Sequence, residues 1–111
     1  MILQWLIDKW RGIPLGGIAR SSKWGRTKRD YEIIHPKLCS VCGTKKKVEL
    51  HHLLPFHLYP KLENDFNNLI WGCRDHHYFV YHLMDWSAYS STAKEDAKIW
   101  NNKITNRIYG K

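Results

Sequence analysis

A chain of 111 residues with 43% hydrophobic content is long enough for one small folded domain and too short for two. Its 18 Lys and Arg against 10 Asp and Glu give a formal charge of +8, which points to a polyanionic partner, either nucleic acid or an anionic membrane. No stretch approaches the roughly 20 apolar residues of a membrane span. Met1 to Ile7, followed by Asp8, is too short for a secretory leader, so no membrane partner and a cytoplasmic setting are expected. Three cysteines, an odd number, then read as reduced thiolates that bind metal inside a cell, not as disulfide partners.

Apolar residues at Ile2, Leu3, Leu6, Ile7 and Trp10 have the spacing of one helix face across Met1 to Arg11. Gly12 to Gly17, with Pro14, reads as a linker, dividing an apolar and basic arm (residues 1–17) from a domain (residues 18–111). Lys9, Arg11, Arg20, Lys23, Arg26, Lys28 and Arg29 run without an acidic residue among them, and Trp10 and Trp24 are interleaved. That pattern suits phosphate contact with stacking, or else a solvated basic arm. Ser21-Ser22 is placed to cap a helix from about Lys23 to Ile34, and His35-Pro36 ends it.

Cys39-Ser-Val-Cys42-Gly43 has the form of a zinc knuckle, with Lys45-Lys46-Lys47 in the turn beyond it. Val48 to Leu53 reads as a strand, Pro55 to Asn67 as a loop, and Leu69 to Gly72 as a second strand. Asp75 to Met84 reads as a helix and Ser87 to Ser91 as a break. Thr92 is placed to cap a last helix through about Ile108, with Ala93, Ala97, Trp100, Ile104 and Ile108 on one face. The fold class is therefore α+β.

Cys73-x-x-His76 repeats the two-residue gap of Cys39-x-x-Cys42 and lies across the expected hairpin. The four residues together would make a Cys3His structural zinc site, tying the helix that precedes the knuckle to the start of the helix from Asp75 and compensating for a small core. His51 and His52 are neighbours on a strand, so their rings point to opposite faces. One can bind a metal while the other addresses a water. Glu49 shares the face of His51, either as an outer partner of a metal-bound histidine or as a solvated carboxylate.

Leu50-His51-His52-Leu53-Leu54-Pro55, then Asn68-Leu69-Ile70, then Cys73-x-x-His76-His77 resemble, in order, the three elements of the HNH endonuclease family. The resemblance is to the form common in bacteriophage genomes and spans about residues 15 to 105, including Arg20-Ser-Ser-Lys-Trp24 and His82-Leu-Met-Asp-Trp86. It implies a ββα-metal (His-Me) finger with a zinc knuckle, flanked by N- and C-terminal helices. It implies His52 as general base, His51 and His77 as ligands of a divalent ion (Mg, Mn, Ni or Zn), and Asn68 fixing the His52 backbone across the loop. His82 is a further ligand candidate. It falls roughly 140° from His77 on an ideal helix of about 3.6 residues per turn, so it serves only if the helix ends or distorts first.

The implied activity is metal-dependent hydrolysis of DNA, nicking or cutting both strands. Arg20, Lys23, Arg26, Lys28, Arg29, Lys45, Lys46, Lys47 and Arg74 are the expected backbone contacts. DNA is the expected partner, with a homodimer or a phage packaging protein as further ones. The alternatives are a non-catalytic zinc-stapled DNA-binding module and a packaging-associated interaction protein.

Overall fold

The structure, a computed structural model, describes residues 20–109. The arm expected over residues 1–17 lies outside the described residues. Helix α1 spans Trp24–Ile34, with Lys23 at its N-cap. The serine expected to cap it acts one turn-position early: the Ser21 hydroxyl accepts the Lys23 N–H at 3.0 Å. The helix ends at His35, whose extended backbone (φ −121°, ψ 100°) is the conformation a following proline demands.

Strands β1 (Val48–His52) and β2 (Leu69–Cys73) form an antiparallel pair in which Val48 faces Cys73, His51 faces Ile70 and His52 faces Leu69. Both bounds agree with the sequence reading to one residue. All of β2 is buried. Its outward carbonyls are satisfied without a third strand. Tyr31 Oη donates to Leu69 at 3.1 Å, and Tyr81 Oη and the Ser40 N–H donate to Trp71 at 2.8 and 3.1 Å. The opposite edge of the hairpin, along β1, carries no strand among the described residues.

The hairpin separates two small cores. Tyr31, Val48, Leu69 and Trp71 pack on the α1 side, with Trp24, Leu50 and Phe66 around them. Cys39, Val41, Ile70, Cys73, Tyr81, Ala93 and Ala97 pack on the other. Gly72 lets the Tyr81 ring lie flat on the strand, since a Cβ there would collide with Cε2 of that ring. Gly72→Ala is therefore expected to destabilise the fold by about 1–3 kcal/mol through overpacking, measured as a lowered urea midpoint.

Helix α2 is short, Arg74–His76, and continues as a π-helical turn, His77–Tyr81. The helix expected to reach Met84 stops earlier. His82 N–H bonds back to the His77 carbonyl at 3.0 Å, and Leu83 and Met84 then adopt left-handed φ of 55° and 63°. Tyr78 Oη holds the Met84 carbonyl at 2.7 Å. Helix α3, Ala93–Tyr109, packs through Ala93 and Ala97 as its spacing indicated, with Ile104 partly buried. Trp100, expected on that face, is 48% exposed. Asn101 Nδ2 donates to the Val41 carbonyl at 3.1 Å, which rolls the contact line toward Asn101 and Trp100 outward. The Ile108 side chain lies outside the described residues.

Candidate functional site

Two clusters that could hold a metal ion meet where α2 passes into the π turn, at His76 and His77. In the first, the ligand atoms of Cys39, Cys42, Cys73 and His76 all lie within 4.8 Å of one another, so this Cys3His group could hold a metal such as zinc. Tetrahedral zinc with bonds of about 2.3 Å to sulfur and about 2.0 Å to nitrogen sets S···S near about 3.8 Å and S···N near about 3.6 Å. The chain holds Cys42 and Cys73 sulfurs 4.0 Å apart, and His76 Nδ1 is 3.6 Å from Cys39 and 3.2 Å from Cys73.

The knuckle is shaped for this. Gly43 takes φ +76°, its N–H bonds the Cys39 carbonyl at 2.8 Å, and the N–H groups of Val41 and Cys42 point at Cys39 Sγ from 3.4 and 3.5 Å. Burial pushes the Cys39 thiol up, but backbone N–H groups of Cys73, Cys42 and Val41 outweigh it and hold it at about 7. Burial instead pushes Cys42 up to about 11, with the neighbouring thiolates adding to it. A cation between the two sulfurs would favour the thiolate form of both.

The second cluster is His51, His77 and His82. The three rings form a nearly equilateral group, with centroids 4.9, 4.9 and 4.8 Å apart. His82 joins it because of the π turn. An i to i+5 hydrogen bond widens the turn, so five residues bring the chain back over His77. The distortion that the sequence required for His82 is thus present.

Two tautomers in this cluster are fixed by their partners. Glu49 Oε1 accepts from His77 Nδ1 at 2.9 Å, and the Ala88 carbonyl accepts from His82 Nδ1 at 2.7 Å. Each neutral ring then carries its lone pair on Nε2. His51 Nδ1 is 3.0 Å from His77 Nε2, which serves as a hydrogen bond without metal and also matches the roughly 3.0 Å between adjacent nitrogens on a six-coordinate ion with bonds of about 2.1 Å. Burial, followed by the neighbouring His77, His82 and His52 rings, pushes His51 down to about 2, so the ring stays neutral. Its buried Nε2 has no partner. The donor set fits a divalent ion.

His52 faces the other side of β1. Its Nε2 lies 3.0 Å from the Glu63 carbonyl, which can only accept, so Nε2 carries the proton and Nδ1 the lone pair. Trp24 stacks on the ring at 4.6 Å. Burial lowers the His52 pKa from its ordinary value, the Glu63 carbonyl opposes this, and the Arg20 charge lowers it further. Asn68 does bridge the loop, but onto Leu54 rather than onto His52. Its Oδ1 accepts the Leu54 N–H at 2.8 Å and its Nδ2 donates to the Leu54 and Leu62 carbonyls at 3.1 and 3.4 Å. Asn68→Ala leaves those half-buried backbone groups unpaired and is expected to cost about 1–3 kcal/mol in urea unfolding.

The buried Glu63 carboxylate, not anticipated from sequence, accepts the Ser21 N–H at 3.1 Å and pairs with Arg20 at 3.7 Å. It anchors the segment entering α1 to the loop that holds His52. No residue pattern marks it, since it is one carboxylate in a polar loop. Trp86 is a second such residue, lying 5.3 and 4.8 Å from the His77 and His82 rings.

The expected backbone contacts divide by position. Arg20, Lys28 and Arg29 line a groove beside β1, whereas Lys23 and Arg26 do not, and Arg26 pairs with Asp30 at 3.7 Å. Lys45, Lys46 and Lys47 are exposed on the turn into β1, and Arg74 reaches Glu49 at 4.0 Å. No helix among the described residues is long and apolar enough to cross a membrane. No family model, curated protein or solved structure matches the chain.

Proposed function

We propose that the chain is a metal-dependent endonuclease that hydrolyses DNA phosphodiester bonds, with β1, β2 and α2 acting as a ββα-metal finger of the HNH type. The observation that carries this reading is the junction at His51 and His52. Adjacent residues of one strand place one imidazole in a three-histidine cluster and hold the other by its Nε2, which puts its lone pair on Nδ1.

A divalent ion (Mg, Mn, Ni or Zn) held by His51, His77 and His82 would supply positive charge against the scissile phosphate and the departing oxygen. His52, kept neutral by burial, takes the proton of the attacking water at Nδ1 while its Nε2–H remains on the Glu63 carbonyl. Trp24 restrains the ring that does this. Glu49 keeps His77 in the tautomer that presents Nε2. Cys39, Cys42, Cys73 and His76, as a structural zinc site, hold the start of α2 against the knuckle. The family resemblance implies 5′-phosphate and 3′-hydroxyl ends.

The test is a supercoiled-plasmid assay on zinc-loaded protein, with Mg2+, Mn2+ and Ni2+ supplied separately or omitted. Nicked circles that appear only with an added ion, and that DNA ligase reseals, are the expected result. Salt-sensitive retention of plasmid with no nicking under any ion would replace this reading with the non-catalytic DNA-binding module.

A further inference from the structure

A groove of about 550 Å³ runs between α1 and the α1-facing side of the hairpin. Its cations are Arg20, Lys28, Arg29 and Lys37, and its carboxylates are Glu32 and Glu49. Glu49 is already engaged by His77 and Arg74, and Arg20 by Glu63, which leaves Lys28, Arg29 and Lys37 against Glu32, so positive charge dominates. The groove touches both halves of the proposed active site. Trp24 in its wall stacks on His52, and Glu49 at its edge bonds His77.

The groove's two indoles decide what it offers a nucleic acid. Arg20 and Lys28 lie over the Trp24 ring at 5.0 and 5.7 Å, and Lys37 lies over Trp71 at 5.7 Å. Trp24 is further covered by His52, and Trp71 is 5% exposed. Cation–π contact therefore holds the charged heads in place over rings that have no face to give a base. A groove for unpaired strands would do the opposite and present aromatic platforms.

We infer that this groove holds the sugar–phosphate backbone of one strand of an intact DNA duplex and leads it to His52. The inference rests on the nuclease reading and deepens it by naming the substrate as paired DNA and the contacts as phosphates. Lys37, outside the basic run before residue 30, belongs to the path. Lys23 and Arg26, inside that run, do not.

The experiment compares the full chain with two triple variants, all loaded with one zinc per chain and with no further divalent ion added, Zn2+ included. One carries Lys28→Gln, Arg29→Gln and Lys37→Gln. The other removes the same charge from α3 by Lys98→Gln, Lys103→Gln and Arg107→Gln. Affinity for a short duplex is followed by fluorescence anisotropy across a salt series. The groove variant is expected to flatten the plot of log affinity against log salt by about 2.7, at roughly 0.9 per lost phosphate contact, and the α3 variant to leave it unchanged. A single strand of equal length is expected to bind more weakly than the duplex.

An unchanged slope in the groove variant, or an equal loss in the α3 variant, overturns the path. Tighter binding of the single strand overturns the paired substrate. Absence of metal-dependent nicking by the wild-type chain would sink the nuclease reading separately, because binding is read without catalysis.

Discussion

His52→Ala is expected to lower the rate of plasmid nicking by about a thousandfold, within the roughly 10²–10⁴ range of general-base contributions. The ring is the only part of residue 52 that reaches both Trp24 and the Glu63 carbonyl, so the substitution removes the base and leaves β1 paired. Zinc content and divalent-ion affinity should persist, since neither proposed metal cluster includes His52.

The wild-type pH profile should support the same assignment. A base works only when neutral, and burial first, then the Arg20 charge, hold the His52 pKa below its ordinary value. Activity should therefore persist as pH falls through about 6.5 and decline only at lower pH, when the ring takes a proton. Nicking by His52→Ala at the wild-type rate would mean that another group, or a contaminating nuclease, does the work.

Cys73→Ser is expected to abolish both zinc retention and cooperative folding. Apparent zinc-binding energies in small structural sites, about 10–16 kcal/mol, exceed the about 5–15 kcal/mol by which a whole domain is usually stable. Cys73 also ends β2 and precedes α2, so its loss loosens the strand and the helix together. Since His76 serves one cluster and the adjacent His77 the other, nicking should vanish with the zinc. His77→Ala provides the contrast: activity should be lost with one zinc per chain retained and the melt little changed. A zinc-free Cys73→Ser protein with a wild-type thermal melt would show that the four residues are not a structural metal site.

The parts of this arrangement that could be read from sequence are those with short, fixed spacing. Cys39-x-x-Cys42 and Cys73-x-x-His76 mark a cluster that could hold a metal because two ligands on one turn need that gap. The alternation of His51 and His52 followed from the strand period, and β2 from its apolar run. The helix bound at Met84 failed because hydrophobic spacing assumes about 3.6 residues per turn, and a π turn carries no mark in composition. Trp100 failed because the inward line of α3 runs through Ala93, Ala97, Asn101 and Ile104, one position round from it. Glu63 was illegible for another reason. Its role depends on a backbone carbonyl that reaches His52 across a loop, and any residue type supplies a carbonyl.

The π turn between His77 and Tyr81 has a consequence for how such chains should be aligned. His77 and His82 are brought together here by helical turn and not by a fixed residue count. Removing one residue from the turn, for example the exposed Phe79, would return the backbone to ordinary α-helix and convert an i, i+5 pair into an i, i+4 pair. The two histidines would still project side by side. A relative with a gap of three between its helix histidines, and one with a gap of four, can therefore present the same coordination face, and a column-by-column comparison would score them as different.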